Sequence, residues 1–258
     1  MTTEQVAAYV GAAAWLPQII SWAYQAYVTP QIEVIAGRTA SIGYTRFGPI
    51  FNLNLAFSAQ RKSAVIELLE AIVTHEDGER HVFQMDGMSE SMSDITDASG
   101  NKTAISKEQT TLAFKIGTEV LLEKFVRFQE QRFHDSLDPL VQIGGDIVKF
   151  ERGKGGDYFA RLLDRKEYHD ILGFHNDYFW WKPGRYDVSF HMKSPSRIKV
   201  KHSVFSFRLT QIDIDGLRMN MMQFPAEYQN VVRGGEEGYQ LQKVVWQWRA
   251  PRFERKNA

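Results

Sequence analysis

The spacing of apolar positions changes character near residue 30 of this chain. Before that point it is helical: Trp15, Ile19, Trp22 and Ala26 fall at i, i+4, i+7 and i+11, with Leu16, Ile20, Ala23 and Tyr27 beside them. A third line, Ala7, Gly11, Ala14, Gln18, Ser21 and Gln25, advances by alternating steps of four and three and holds only small or neutral polar residues. Such a line is the seam of a helix–helix contact, where small residues allow close approach and amides bond across. Pro17 interrupts the backbone bonding and predicts a kink.

After Pro30 the period drops to two. Gln31–Ala36, Ala40–Phe47 and Pro49–Ala59 read as strands; in the last, Phe51, Leu53, Leu55 and Phe57 share one side. Val65–Thr74 is a further apolar stretch, and Asp77-Gly78 predicts a tight hairpin to His81–Gln84. Residues 87–103 read as a loop or loose hairpin. Thr111–Ile116 reads as a strand, and the stretch after Thr118 fits a capped helix or a strand. Ser136–Asp157 reads as irregular, broken by Pro139, Gly144-Gly145 and Gly153–Gly156; a subdomain boundary is placed there. A short helix is predicted over Tyr158–His169 and a strand from Tyr186 to Met192. Arg197–Leu209 follows as a strand or hairpin arm. Thr210 and Asp213 form a capping box that opens a helix to about Gln223, ended by Pro225. Tyr239–Arg249 reads as a last strand and Phe253–Ala258 as a frayed basic tail.

Many short strands with turn signals predict a mainly β fold, an antiparallel β-sandwich of one or two units over residues 31–258 behind the N-terminal helix. The Pro183-Gly184-Arg185-Tyr186 lead into a strand resembles late strands of immunoglobulin-like sandwiches.

Charge gives the first stretch its meaning. No charged side chain lies between Glu4 and Glu33. An apolar run of about 20 residues can cross a bilayer, so the stretch reads as a transmembrane anchor, with a helix docked on its own domain as the alternative. It lacks the basic start and cleavage site of a secretory signal. Arg38 and Arg46 follow it and no Lys or Arg precedes it, which puts the domain on the cytoplasmic side of a membrane; a soluble cytoplasmic protein is the alternative. The whole chain balances 31 basic against 31 acidic residues, so no global field calls for nucleic acid. It has no cysteine, hence no disulfide and no thiol nucleophile.

Candidate chemistry is sparse. No phosphate-binding loop, nucleophile elbow or His-Glu-x-x-His is present, and no cofactor is implied. His169, Asp170 and His175 are weak metal candidates, since imidazole and carboxylate suit zinc or iron, but six positions separate the two histidines on a helix. His75 and His81 flank the hairpin and read as cross-strand neighbours. Arg197, Lys199 and Lys201 share one strand face and read as a solvated face or an anion contact. Trp246 and Trp248, two apart, read as packing or as a stacking platform. These features lead to a non-enzymatic binding or scaffold protein, tethered by its N-terminal helix and able to associate with itself or a partner helix. A metal-assisted hydrolase and a soluble ligand-binding sandwich are the alternatives.

Overall fold

The computed structural model describes residues 14–24, 27–96, 102–109, 112–201 and 204–256. Residues 14–24 are helical (α1). Thirteen strands follow, β1 (Gln31–Thr45), β2 (Gly48–Gln60), β3 (Ala64–Ile66), β4 (Leu68–His75), β5 (Arg80–Thr96), β6 (Lys102–Gln109), β7 (Phe114–Ile116), β8 (Leu122–Glu130), β9 (Gly184–Lys193), β10 (Lys199–Val200), β11 (Val204–Leu209), β12 (Trp248–Arg249) and β13 (Glu254–Arg255). Helices α2 (Gln131–Gly153), α3 (Tyr158–Leu163) and α4 (Lys166–Asp177) lie between β8 and β9. Helices α5 (Gln211–Arg218) and α6 (Phe224–Arg233) lie between β11 and β12.

The protein is mainly β, but the expected sandwich is not confirmed. Eleven strands run in one curled sheet whose central order is β1-β2-β8-β5-β4-β9-β11. All of these neighbours are antiparallel. The chain then joins the two ends of this series. Trp248 and Arg249 pair with β1, the Phe253 amide donates to the Arg38 carbonyl at 2.7 Å, and Glu254 and Arg255 pair with β11. At the other end of β1, Lys199 and Val200 run parallel to Gln31 and Ile32. The sheet therefore curls back on itself.

Alternation explains what fills it. Phe51, Leu53, Leu55 and Phe57 of β2 are buried, as are Tyr186, Val188, Phe190 and Met192 of β9. Phe51 meets Phe83, Phe128, Phe207 and Phe253, with ring centroids 5.8–6.2 Å apart. These rings come from β5, β8, β11 and the C-terminal segment, so aromatic contacts fill the space around Phe51.

Several sequence expectations are corrected. Of the two readings of residues 87–103 the hairpin holds for the described part: 87–96 and 102–103 are strand, in β5 and β6. Ser136–Asp157 is not irregular: α2 runs through Pro139 and the Gly144-Gly145 pair. Its buried residues Phe133, Leu137, Gly144 and Glu151 form one stripe, and packing of that stripe outweighs the local propensities. Gly144 is needed for closeness, since a Cβ there would lie 2.9 Å from Ile171 of α4. Pro225 sits in the first turn of α6, where its missing N–H costs nothing, so it opens a helix instead of ending one. The Thr210–Asp213 capping box is present as read. Tyr239–Arg249 is strand only at Trp248 and Arg249. The C-terminal tail is not frayed at Phe253, which is buried.

The transmembrane expectation is overturned. Among the described residues no helix is long and apolar enough to cross a membrane.

Closure of the sheet makes a prediction. Phe253 stacks on Phe205 at 5.2 Å and is 4% exposed. Phe253→Ala removes this ring and should cost about 3–5 kcal/mol in urea unfolding, while Glu254→Ala, on the exposed neighbour, leaves the midpoint within experimental error. Equal midpoints for both variants would refute the closing role of Phe253.

Candidate functional site

The β1–β2 hairpin turns tightly through Arg46 and Phe47, between the paired residues Thr45 and Gly48. Gly48 adopts φ +75°, and a Cβ there would collide with the ring of Phe133 at the start of α2. Only glycine meets both demands, and the hairpin tip is thereby seated against the helices. Tyr44, just before the turn, is buried; its hydroxyl donates to the His175 carbonyl of α4 at 2.6 Å. Its ring meets Phe133, Phe179 and Phe224 edge-on.

Beside this junction α2, α4 and α6 leave a cavity of about 360 Å³, within the size range of small-molecule sites. Leu137 and Val141 of α2, Ile171 and Leu172 of α4, and Phe224 and Val231 of α6 form apolar walls. Val141 and Val231 are about half exposed or more, so the cavity opens to the surface. Arg46 and Glu227 also line it and form an ion pair at 2.9 Å. The Arg46 guanidinium lies 4.6 Å from the Phe47 ring centroid. His134 is occupied by the Gln129 amide oxygen, 2.8 Å from its Nε2.

His175 is the buried polar group of this wall. It is 4% exposed, its ring stacks on Phe224 at 4.1 Å, and its Nδ1 has no hydrogen-bond partner. Burial lowers its pKa from 6.5 to about 4, so the imidazole is neutral at pH 7. The metal reading loses its geometry here. His169 and Asp170 lie on the same helix but away from the buried face, Asp170 is paired with Lys166 at 2.5 Å, and among the described residues no group of three His, Asp or Glu could hold a metal ion.

A second polar cluster sits at the far end of β8. Glu130, 1% exposed, lies 2.9 Å from His81 Nδ1 and accepts from Trp180 Nε1 at 2.9 Å. His81 stacks on Trp180 at 3.5 Å, and its Nε2 lies 3.1 Å from Glu79. Lys182 bridges Glu79 and Asp77, and Asp77 reaches His75 Nδ1 at 2.9 Å. His75 and His81 are thus diagonal neighbours in one network, as the hairpin implied. Each carboxylate in it is already occupied, so the cluster locks the β4–β5 turn to the Trp180–Lys182 segment.

The remaining sequence candidates are dispersed. Arg197 is exposed in a loop, Lys199 is exposed in the two-residue β10, and Lys201 is paired with Glu33 at 2.7 Å. The three do not form one free stripe. Trp246 packs on Phe224 at 5.5 Å, whereas the Trp248 ring lies over Gly43 of β1; they do not form a joint platform. Ala14, Gln18 and Ser21 are exposed on α1, and Ala7, Gly11 and Gln25 lie outside the described residues. Sequence reasoning missed Arg46, Phe47 and Glu227. The signal available was the Thr45–Gly48 turn; nothing local to Glu227 pointed to a site.

No family model, no curated protein and no solved structure matches this chain.

The His175 environment predicts a pH dependence. The unfolded chain binds a proton at His175 below about pH 6.5 and the folded chain only near 4. Stability is therefore lost as pH falls through this window, by up to about 3 kcal/mol at its lower end. In His175→Leu, urea unfolding at pH 7.0 and 4.5 should show a smaller difference than in the unaltered protein. An unchanged difference would assign the acid sensitivity elsewhere.

Proposed function

We propose that this is a non-enzymatic binding protein that takes a small apolar ligand between α2, α4 and α6. The observation that carries this reading is the cavity of about 360 Å³ with hydrocarbon walls. Apolar walls supply affinity by removing ligand surface from water, and they offer no nucleophile paired with a base. The sheet then acts as a rigid base that holds the Arg46–Phe47 turn against the helices.

A second reading attaches to α1. Trp15, Trp22, Tyr24 and Tyr27 are 66%, 76%, 58% and 89% exposed, and Leu16, Ile19 and Ile20 are exposed with them. Apolar patches beyond a few hundred Å² mark interaction sites. Aromatic side chains contribute about 150–250 Å² each, so this surface is comparable with the ~800 Å² per partner of a standard interface. The uncharged face through Ala14, Gln18 and Ser21 meets no like-charge repulsion when two copies approach. This supports self-association through α1.

The neutral dye N-phenyl-1-naphthylamine tests the first reading. Its fluorescence should rise saturably with protein, and Val148→Trp, at a half-buried residue of α2 that also lines the cavity, should weaken binding at least tenfold without lowering the melting temperature by more than a few degrees. Unsaturable binding, or equal affinity in the variant, rejects the cavity as the site. For the second reading, sedimentation velocity at tens of micromolar should give a dimer for the full chain and a monomer for Trp22→Glu. A monomer in both cases rejects it.

A further inference from the structure

We infer that the ligand of this cavity is an uncharged amphiphile, an apolar chain ending in a hydroxyl group; this rests on the cavity being the binding site. The polar groups at the cavity mouth set this choice. Arg46 comes from the β1–β2 turn and Glu227 from α6, and the two are paired at 2.9 Å beside the apolar walls. Arg46 is 45% exposed and Glu227 18% exposed, so the pair sits where cavity and solvent meet.

A head group lodged there faces both signs at once. A carboxylate gains Arg46 but is repelled by Glu227, and it must compete for a guanidinium already engaged. An ammonium gains Glu227 but is repelled by Arg46. A hydroxyl suffers neither conflict. Its oxygen accepts from Arg46, whose guanidinium has five N–H donors, and its proton goes to Glu227, whose carboxylate has about four acceptor positions. The pair stays intact and both members gain a partner.

Deeper in, the walls exclude charge. His175 is 4% exposed with an unpartnered Nδ1, and its ring lies flat on Phe224. A buried ion there would lose its hydration with no counter-charge to replace it. The tail must therefore be hydrocarbon, and the polar end must stay beside Arg46 and Glu227. Selection by a balanced pair differs from selection by a lone cation, which would favour fatty-acid-like anions.

The test is displacement of bound N-phenyl-1-naphthylamine by 1-octanol, octanoate and octylammonium, each below its micelle concentration. The unaltered protein should prefer 1-octanol to either ion by about tenfold. Glu227→Gln leaves Arg46 without its counter-charge, and octanoate should gain about tenfold relative to 1-octanol. Arg46→Gln should shift preference toward octylammonium by a similar factor. Preference for octanoate in the unaltered protein, or ratios that neither substitution moves, overturns the inference while dye binding keeps the cavity reading intact. Absence of dye binding to the unaltered protein removes the cavity reading, and this inference with it.

Discussion

Two strand edges must be covered for this fold to exist, those of β1 and β11, and the last residues of the chain cover both. An open edge presents unpaired N–H and C=O groups to any passing chain. Here Arg38 accepts from the Phe253 amide, Ala40 donates to the Pro251 carbonyl, and Lys256 donates to Val204. Between these backbone bonds the Phe253 ring turns inward and stacks on Phe205. Edge protection and core filling are thus performed by one short segment. The long curled strands β1 and β2 make this possible. β1 carries a register irregularity between Ala36 and Ala40, and such irregularities increase local bending and twist.

The helical layer depends on the same closure through buried polar groups that are fully partnered. Asn220, buried after α5, donates to the carbonyls of Tyr44 and Gln247, both at 2.9 Å, and accepts from the Gln247 amide at 2.7 Å. It therefore ties the end of β1 to the segment entering β12. Glu151, 1% exposed at the end of α2, is met by Lys154, Arg161 and Arg165, and these three cations hold its carboxyl down to about 2. It joins the end of α2 to α3 and to the residue before α4. An unpaired amide at Asn220 or an unpaired carboxylate at Glu151 would be costly; paired, these groups fix where the helices sit. The cavity lies beside the buried stripe of α2, where α2, α4 and α6 do not close on one another.

How much of this could be read in the sequence follows from how local each cause is. β9 was legible because alternate burial is written into Tyr186, Val188, Phe190 and Met192. The Thr210–Asp213 cap was legible because its reciprocal bonds span only three positions. α2 was not, because Pro139 and Gly144 are poor helix residues whose tolerance comes from a neighbouring helix far along the chain. Pro225 has the same side chain whether it stops a helix or starts one, and only the seating of Phe224 against Tyr44 decides. Phe253 was hidden in a basic tail because its partners lie on β11 and β2. His175 drew notice as a polar residue near other polar residues. Its environment proved apolar, and that depends on Phe133 and Phe224, 42 and 49 positions away.

The division of labour in the fold follows from where aromatic residues are spent. The sheet interior gathers Phe83, Phe128, Phe207 and Phe253 around Phe51. Close-packed interiors transmit displacement instead of absorbing it. The Arg46–Phe47 turn, the tip of the β1–β2 hairpin, is seated against the helices through Gly48 and Tyr44, and Glu227 approaches Arg46 from α6. A pair assembled from a rigid turn and a separate helix keeps its spacing only if both supports are fixed. Phe224 provides the second support, buried one turn before Glu227 and stacked on His175. Phe224 therefore belongs both to the packing of the helices on β1 and to the wall beside the Arg46–Glu227 pair.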